Sequence, residues 1–131
     1  MKIIEKSVDM SLKLVNPSLS MYQHFSFVYI RNKLLAIGQN ETDRTNHKSM
    51  KLAKRFRAVK PLQFPYIHAE TDAISKLWGK VYLCHRHTLV SIRLNRHGEL
   101  RVSKPCVDCS QVIDGLNLTC IYFDGKTFVY A

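Results

Sequence analysis

The sequence predicts an α/β protein built on one mixed central β-sheet, flanked by helices and finished by a C-terminal antiparallel hairpin. Three observations predict it. Residues 24–30 are rich in aromatic and β-branched side chains, and the apolar run 34–38 returns after a short polar Arg31-Asn32-Lys33, the pattern of a hairpin. Helical and strand periodicities then alternate along the chain, as they do where helices cover a sheet. Near the end, TCIYF and TFVY flank Asp124-Gly125, the signal of a tight turn between two strands.

Taken in order, residues 2–15 place Ile4, Val8, Leu12 and Val15 on one helical face, and Asn16-Pro17 ends that helix. HFSFVYI and LLAIG form the first two strands. Pro61 and Pro65 stop any helix before His68. A helix starting at Ala69 and reaching about Trp78 turns Ala73, Ile74 and Leu77 inward, with Gly79 at its end. TLVSIRL (88–94) is a strand, and Asn95-Arg96-His97-Gly98 is a turn. Pro105 opens a second helix from Cys106 to about Asp114, capped by Gly115. The predicted order is α β β α β α β β.

The 131 residues suit a single domain, 1–131, able to bury a core without obligatory disulfides. No apolar run approaches the ~20 residues of a membrane-spanning helix. The opening MKIIEKSVDMSLKLV mixes acids with apolar residues and lacks a signal-peptide core. A cytoplasmic protein with no membrane partner is the expectation. The net charge of +10 favours anionic partners: nucleotides, nucleic acid or acidic surfaces.

Of the four cysteines, Cys106 and Cys109 form Pro-Cys-x-x-Cys at a helix start. Three-residue spacing puts both sulfurs on one face, and the helix N-terminus favours their thiolates. Two such thiolates are half of a zinc site, and a histidine is a natural third ligand. His68 and Glu70 sit two apart, a spacing that on a regular helix points side chains nearly opposite ways. The conflict disappears if His68 lies before the first turn and Glu70 within it. His68, Cys106 and Cys109 then hold one catalytic zinc ion, with a fourth position left to water. Zinc lowers the pKa of that water to roughly 7, and Glu70 is the carboxylate that carries its proton. A fourth protein ligand (Cys84, His85, His87 or Cys120) would instead make the zinc structural. A redox Cys-x-x-C is disfavoured, because no thioredoxin-like βαβ unit precedes it.

His68-Ala69-Glu70 followed by Pro105-Cys106-Val107-Asp108-Cys109 resembles the signature of the zinc-dependent cytidine and deoxycytidylate deaminase superfamily, over roughly 22–131. The resemblance implies a cytidine-deaminase-like fold and hydrolytic removal of an exocyclic amine, from cytosine C4 or adenine C6, with Glu70 protonating the ring nitrogen. It implies further that Asn40 hydrogen-bonds the sugar of the target nucleotide. The N–H of Ala69 would hold the base carbonyl, the carbonyl of Lys104 its amine, and Phe25 or Phe27 would wall the pocket. A homo-oligomer is compatible with the resemblance. Two departures stand out. Nucleoside-specific members place a ribose-binding glutamate two residues after the asparagine, where this chain has Thr42, with Glu41 one residue early. The short final hairpin carries no extra helix and is similar to the compact branch of the superfamily.

Residues 44–60 hold seven Lys or Arg and no acid. Lys48, Lys51 and Arg55 share a helical face. Their place between Asn40 and His68 makes them candidate phosphate-binding residues, with Arg93, Arg96 and Arg101 as further cations for a strand. The same run is also what a solvated helix face looks like. The substrate expected is cytosine within single-stranded nucleic acid or in a nucleotide such as deoxycytidylate. The alternatives are an adenine-type deaminase and a non-catalytic, zinc-stabilised nucleic-acid-binding protein.

Overall fold

A computed structural model describes residues 2–19, 22–40 and 68–130. The basic run, with Lys48, Lys51 and Arg55, lies outside the described residues, as do Glu41 and Thr42. The elements are α1 (Lys2–Leu14), β1 (Gln23–Ile30), β2 (Lys33–Gln39), α2 (Ala69–Leu77), β3 (His87–Leu94), β4 (Leu100–Arg101), α3 (Val107–Gly115), β5 (Thr119–Phe123) and β6 (Phe128–Tyr130). Among the described residues this is an α/β fold with three helices on an open, mixed, six-stranded sheet. None of these helices is long and apolar enough to cross a membrane.

The sheet runs β2-β1-β3-β5-β6, with β4 extending the β5 side of β3. β1 pairs antiparallel with β2 and with β3, β3 pairs parallel with β5, and β6 returns antiparallel. Strand alternation divides the core in two. Phe25, Phe27, Tyr29, Val90, Ile92 and Leu94 face α1 through Ile3. Val28, Leu89 and Cys120 face the other way, onto Ala73, Ile74 and Leu77 of α2 and Val112 and Ile113 of α3. The sheet is thus the middle of three layers.

Several details correct the sequence reading. In α1 the buried line is Ile3, Ser7 and Ser11, with Ile4, Val8, Met10 and Val15 half-buried beside it and Leu12 46% exposed. Small serines let the helix approach the sheet closely. Their hydroxyls are satisfied locally: Ser7 donates to the Ile3 carbonyl at 2.7 Å and Ser11 to the Ser7 carbonyl at 2.8 Å. Ser7 also meets the Tyr29 hydroxyl at 2.8 Å, and burial pushes the Tyr29 pKa up, with Ser7 acting against it.

The cap of α3 is shifted. Cys106 is the N-cap, Gly115 closes the helix, Leu116 is the C-cap, and the left-handed position falls on Asn117 (φ 58°), a residue that tolerates it. The last hairpin turns through Asp124–Thr127, where Asp124 Oδ1 accepts from the Lys126 and Thr127 amides at 2.8 and 2.9 Å. β6 therefore starts at Phe128 and β4 is an addition.

Candidate metal centre and active site

His68 itself has extended backbone (φ −92°, ψ 141°) as the N-cap of α2, and Glu70 is the second residue of the helix. This backbone change explains how residues two apart serve one site: each leaves the chain from a different conformation. Cys106 likewise has extended backbone (φ −65°, ψ 169°) as the N-cap of α3, and Cys109 lies one turn on, its amide donating to the Cys106 sulfur at 3.4 Å. Parallel strands β3 and β5 bring the two helix starts together near their carboxyl ends, where open α/β sheets form crevices.

His68, Cys106 and Cys109 present donor atoms that all lie within 4.8 Å of one another, and the group can hold a metal ion. The donor set fits zinc. Tetrahedral zinc with Zn–N of about 2.0 Å and Zn–S of about 2.3 Å spaces a nitrogen and a sulfur about 3.5 Å apart. Cys106 Sγ lies 3.6 Å from His68 Nδ1. The protons are distributed unequally. The exposed Cys106 thiol is pulled down to about 4, first by hydrogen bonding from Cys109 and then by His68. The hydrogen bond to Cys106 holds Cys109 well up as a thiol, reinforced by burial and by the nearby Glu70. His68 is raised, chiefly by its hydrogen bond to Cys106, against the opposing effect of burial. One ligand is thus ready as an anion, and capture of a cation displaces the proton of the Cys109 thiol.

No fourth protein ligand joins this group among the described residues. Cys84 pairs locally with His87, its amide donating to His87 Nδ1 at 3.2 Å. His87 is buried in the structure, while His85 is exposed. Cys120 sits in the core between the sheet and the helices, and burial pushes its thiol up to about 12, the mark of an inert cysteine.

Glu70 is 1% exposed. Its Oε1 lies 3.0 Å from His24 Nε2 and 3.5 Å from the Ser26 hydroxyl, which donates to it. His24 Nε2 also meets Ser91 Oγ at 2.6 Å. Ser91 spends its own proton on the Ser103 carbonyl at 2.7 Å, and Ser103 returns a bond of 2.7 Å to the Ser91 carbonyl. Nε2 thus faces two acceptors, so the network assigns it the proton. The Phe123 amide then donates to Ser103 Oγ at 2.8 Å, tying the network to β5. A polar chain consequently runs from Glu70 across β1 and β3 to the segment that ends in Cys106.

The sequence reading missed His24, Ser26, Ser91 and Ser103. For Ser26 and Ser91 the signal available was a small polar residue inside an apolar strand, in HFSFVYI and TLVSIRL; His24 and Ser103 carried no local signal. Phe25 and Phe27 do not wall this site: strand alternation turns both toward α1, and His24 and Ser26 occupy the pocket face instead. Asn40 stands beside His24, its Oδ1 accepting from the His24 amide at 2.8 Å and its own amide donating to the His24 carbonyl at 3.2 Å. Ala69 is buried, and its N–H precedes the first bond of α2, from the Asp72 amide to the His68 carbonyl. Lys104 is exposed, one residue beyond buried Ser103 and two before Cys106. A scan of protein-family models finds no match to this chain, and a comparison with curated proteins finds none either.

Proposed function

We propose that the protein is a zinc-dependent hydrolytic deaminase with a cytidine-deaminase-like fold, acting on cytosine in a phosphate-bearing substrate. One observation carries the reading: a buried carboxylate, Glu70, set beside a three-donor His-Cys-Cys group that no described residue completes. The sheet order, with β3 and β5 parallel and the last strand antiparallel, supports the compact form of that fold.

His68, Cys106 and Cys109 would hold the ion. Zinc in such a site supplies Lewis-acid activation of water near neutral pH. Glu70 takes the proton from water and delivers it to the ring nitrogen and then to the departing amine. Its Oε1 is fixed by His24 and Ser26, which leaves Oε2 for the proton traffic. The first-turn N–H of Ala69 would bind the base carbonyl, and the Lys104 carbonyl would accept from the exocyclic amine. Asn40 orients the sugar from beside His24.

His24 is a positioning residue in this scheme. Misplacing a reacting group by about 1 Å can cost 10²-fold in rate. His24→Leu is therefore expected to lower kcat by about 10²-fold with little change in KM. His24→Gln keeps an N–H near the Nε2 position and is expected to restore most of the rate. Equal activity in all three proteins would remove His24 from the scheme.

The proposal is tested by incubating the zinc-loaded protein with cytidine, deoxycytidylate, and cytosine- or adenine-containing single-stranded DNA and RNA. Ammonia and the deaminated base are then measured. The expected result is uracil and ammonia in equal amounts from a phosphate-bearing cytosine substrate. Hypoxanthine from the adenine strands would identify the adenine-type enzyme. Zinc and oligonucleotide binding with no ammonia from any substrate would establish a non-catalytic nucleic-acid binder.

A further inference from the structure

The face of the sheet that carries the Glu70 network continues into a row of cations. His24 on β1 lies directly opposite Arg93 on β3, and Arg93 directly opposite Arg101 on β4. Residues directly opposite in a sheet share a face, so both arginines project on the side where His24 meets Glu70. With strands ~4.8 Å apart, Arg93 stands one step and Arg101 two steps, or ~10 Å, from His24. The Arg93 guanidinium covers the Tyr22 ring at 4.5 Å from its centroid, and Tyr22 is 48% exposed. Arg93 is half-buried and has no carboxylate partner among the described residues. Arg101 donates to the Leu100 carbonyl at 3.1 Å, and its carboxylate partner among the described residues is Glu99, at 3.6 Å with both side chains exposed, a pairing of small worth.

We infer that Tyr22, Arg93 and Arg101 form a phosphate track for single-stranded nucleic acid leading into the Glu70 pocket, an inference that rests on the deaminase reading for where the target base sits. A half-buried arginine with no carboxylate partner among the described residues leaves its guanidinium for an anion, and the planar fork of arginine suits phosphate oxygens. A mononucleotide offers one phosphate group close to its base. Two cations stepping ~10 Å outward suit successive phosphates of a strand. An exposed tyrosine beside them is the stacking platform that single-strand binders use. Another basic group, Arg31, Lys33 and Arg86, lines a hollow at the opposite end of β1. It serves as an internal control.

The test measures fluorescence anisotropy of short single-stranded oligodeoxycytidine and oligocytidine probes over ~50 to 200 mM salt. Arg93→Gln and Arg101→Gln are each expected to weaken binding several-fold and to make the salt slope shallower by about 0.7. Tyr22→Ala weakens binding with the slope unchanged, and Tyr22→Phe binds as the wild type does. Arg31→Gln with Arg86→Gln changes neither quantity. Arg101→Gln alters an exposed side chain and keeps the test open if Arg93→Gln fails to fold. Wild-type affinity and slope in a folded Arg93→Gln/Arg101→Gln protein would overturn the inference. So would binding of deoxycytidylate without binding of either oligonucleotide. Oligonucleotide binding through these arginines without ammonia release would uphold the track and remove the deaminase reading.

Discussion

Glu70→Gln is expected to lower ammonia release by about 10³-fold while zinc content and folding remain those of the parent protein. Glutamine has nearly the same volume, so the 1% exposed site of Glu70 closes around it without a cavity. Its amide oxygen can accept from His24 Nε2 and Ser26 as the carboxylate does, which preserves the network through Ser91 to Ser103. What glutamine cannot do is take a proton from water and return it to the base. The measurement pairs single-turnover deamination with zinc quantified by mass spectrometry. Loss of rate with full zinc marks Glu70 as the proton carrier. Loss of zinc and rate together would make Glu70 part of the metal's support, and unchanged rate would remove it from the chemistry. Glu70→Ala is a poorer probe, because it opens a cavity and strips the His24 N–H of its charged acceptor.

The local parts of this site were legible in the sequence, and the nonlocal parts were not. A histidine just before a helix, and cysteines three apart at the start of another, are recognisable because each depends only on its immediate neighbours. The strand alternation also read correctly in kind. Its phase did not, because nothing within HFSFVYI says which face meets α1. A shift of one residue exchanges Phe25 and Phe27 for His24 and Ser26 at the pocket, and only the register of β1 against β3 decides it. The bond from His24 to Ser91 joins residues 67 apart in the chain, beyond any local pattern. The serine face of α1 escaped for another reason. Ser7 and Ser11 look like solvent-facing residues until their hydroxyls are seen bonded back to the helix carbonyls. Asn40 was legible as a residue closing β2, but its bond to the His24 amide, which locks the start of β1 beside Glu70, required the fold.

The second large effect is expected at Gly38, where the fold and the site meet. Gly38 is buried on β2, opposite Ser26 in register. A Cβ built there would overlap the Ala69 carbonyl oxygen and lie 2.5 Å from the Ala73 amide nitrogen. Both are backbone atoms of α2 and cannot swing aside as a side-chain tip would. The helix is also tied to the same strand from outside: the Gln39 amide donates to Asp72 Oδ2 at 3.1 Å, and Lys76 Nζ donates to the Ile37 carbonyl at 2.7 Å. Gly38→Ala must therefore lift the first turn of α2 off the sheet or break β2 away from β1. Overpacking of this kind costs about 3 kcal/mol, read from the urea midpoint at unchanged m-value. The displaced turn carries His68 and Glu70 on either side of Ala69, so zinc affinity should fall with stability. A surface change such as Lys33→Ala, on the same strand but exposed, should alter neither. A Gly38→Ala protein with parental urea midpoint and zinc affinity would show that α2 does not rest on the sheet at this point. The placement of Glu70 beside His24 would then lose its structural basis.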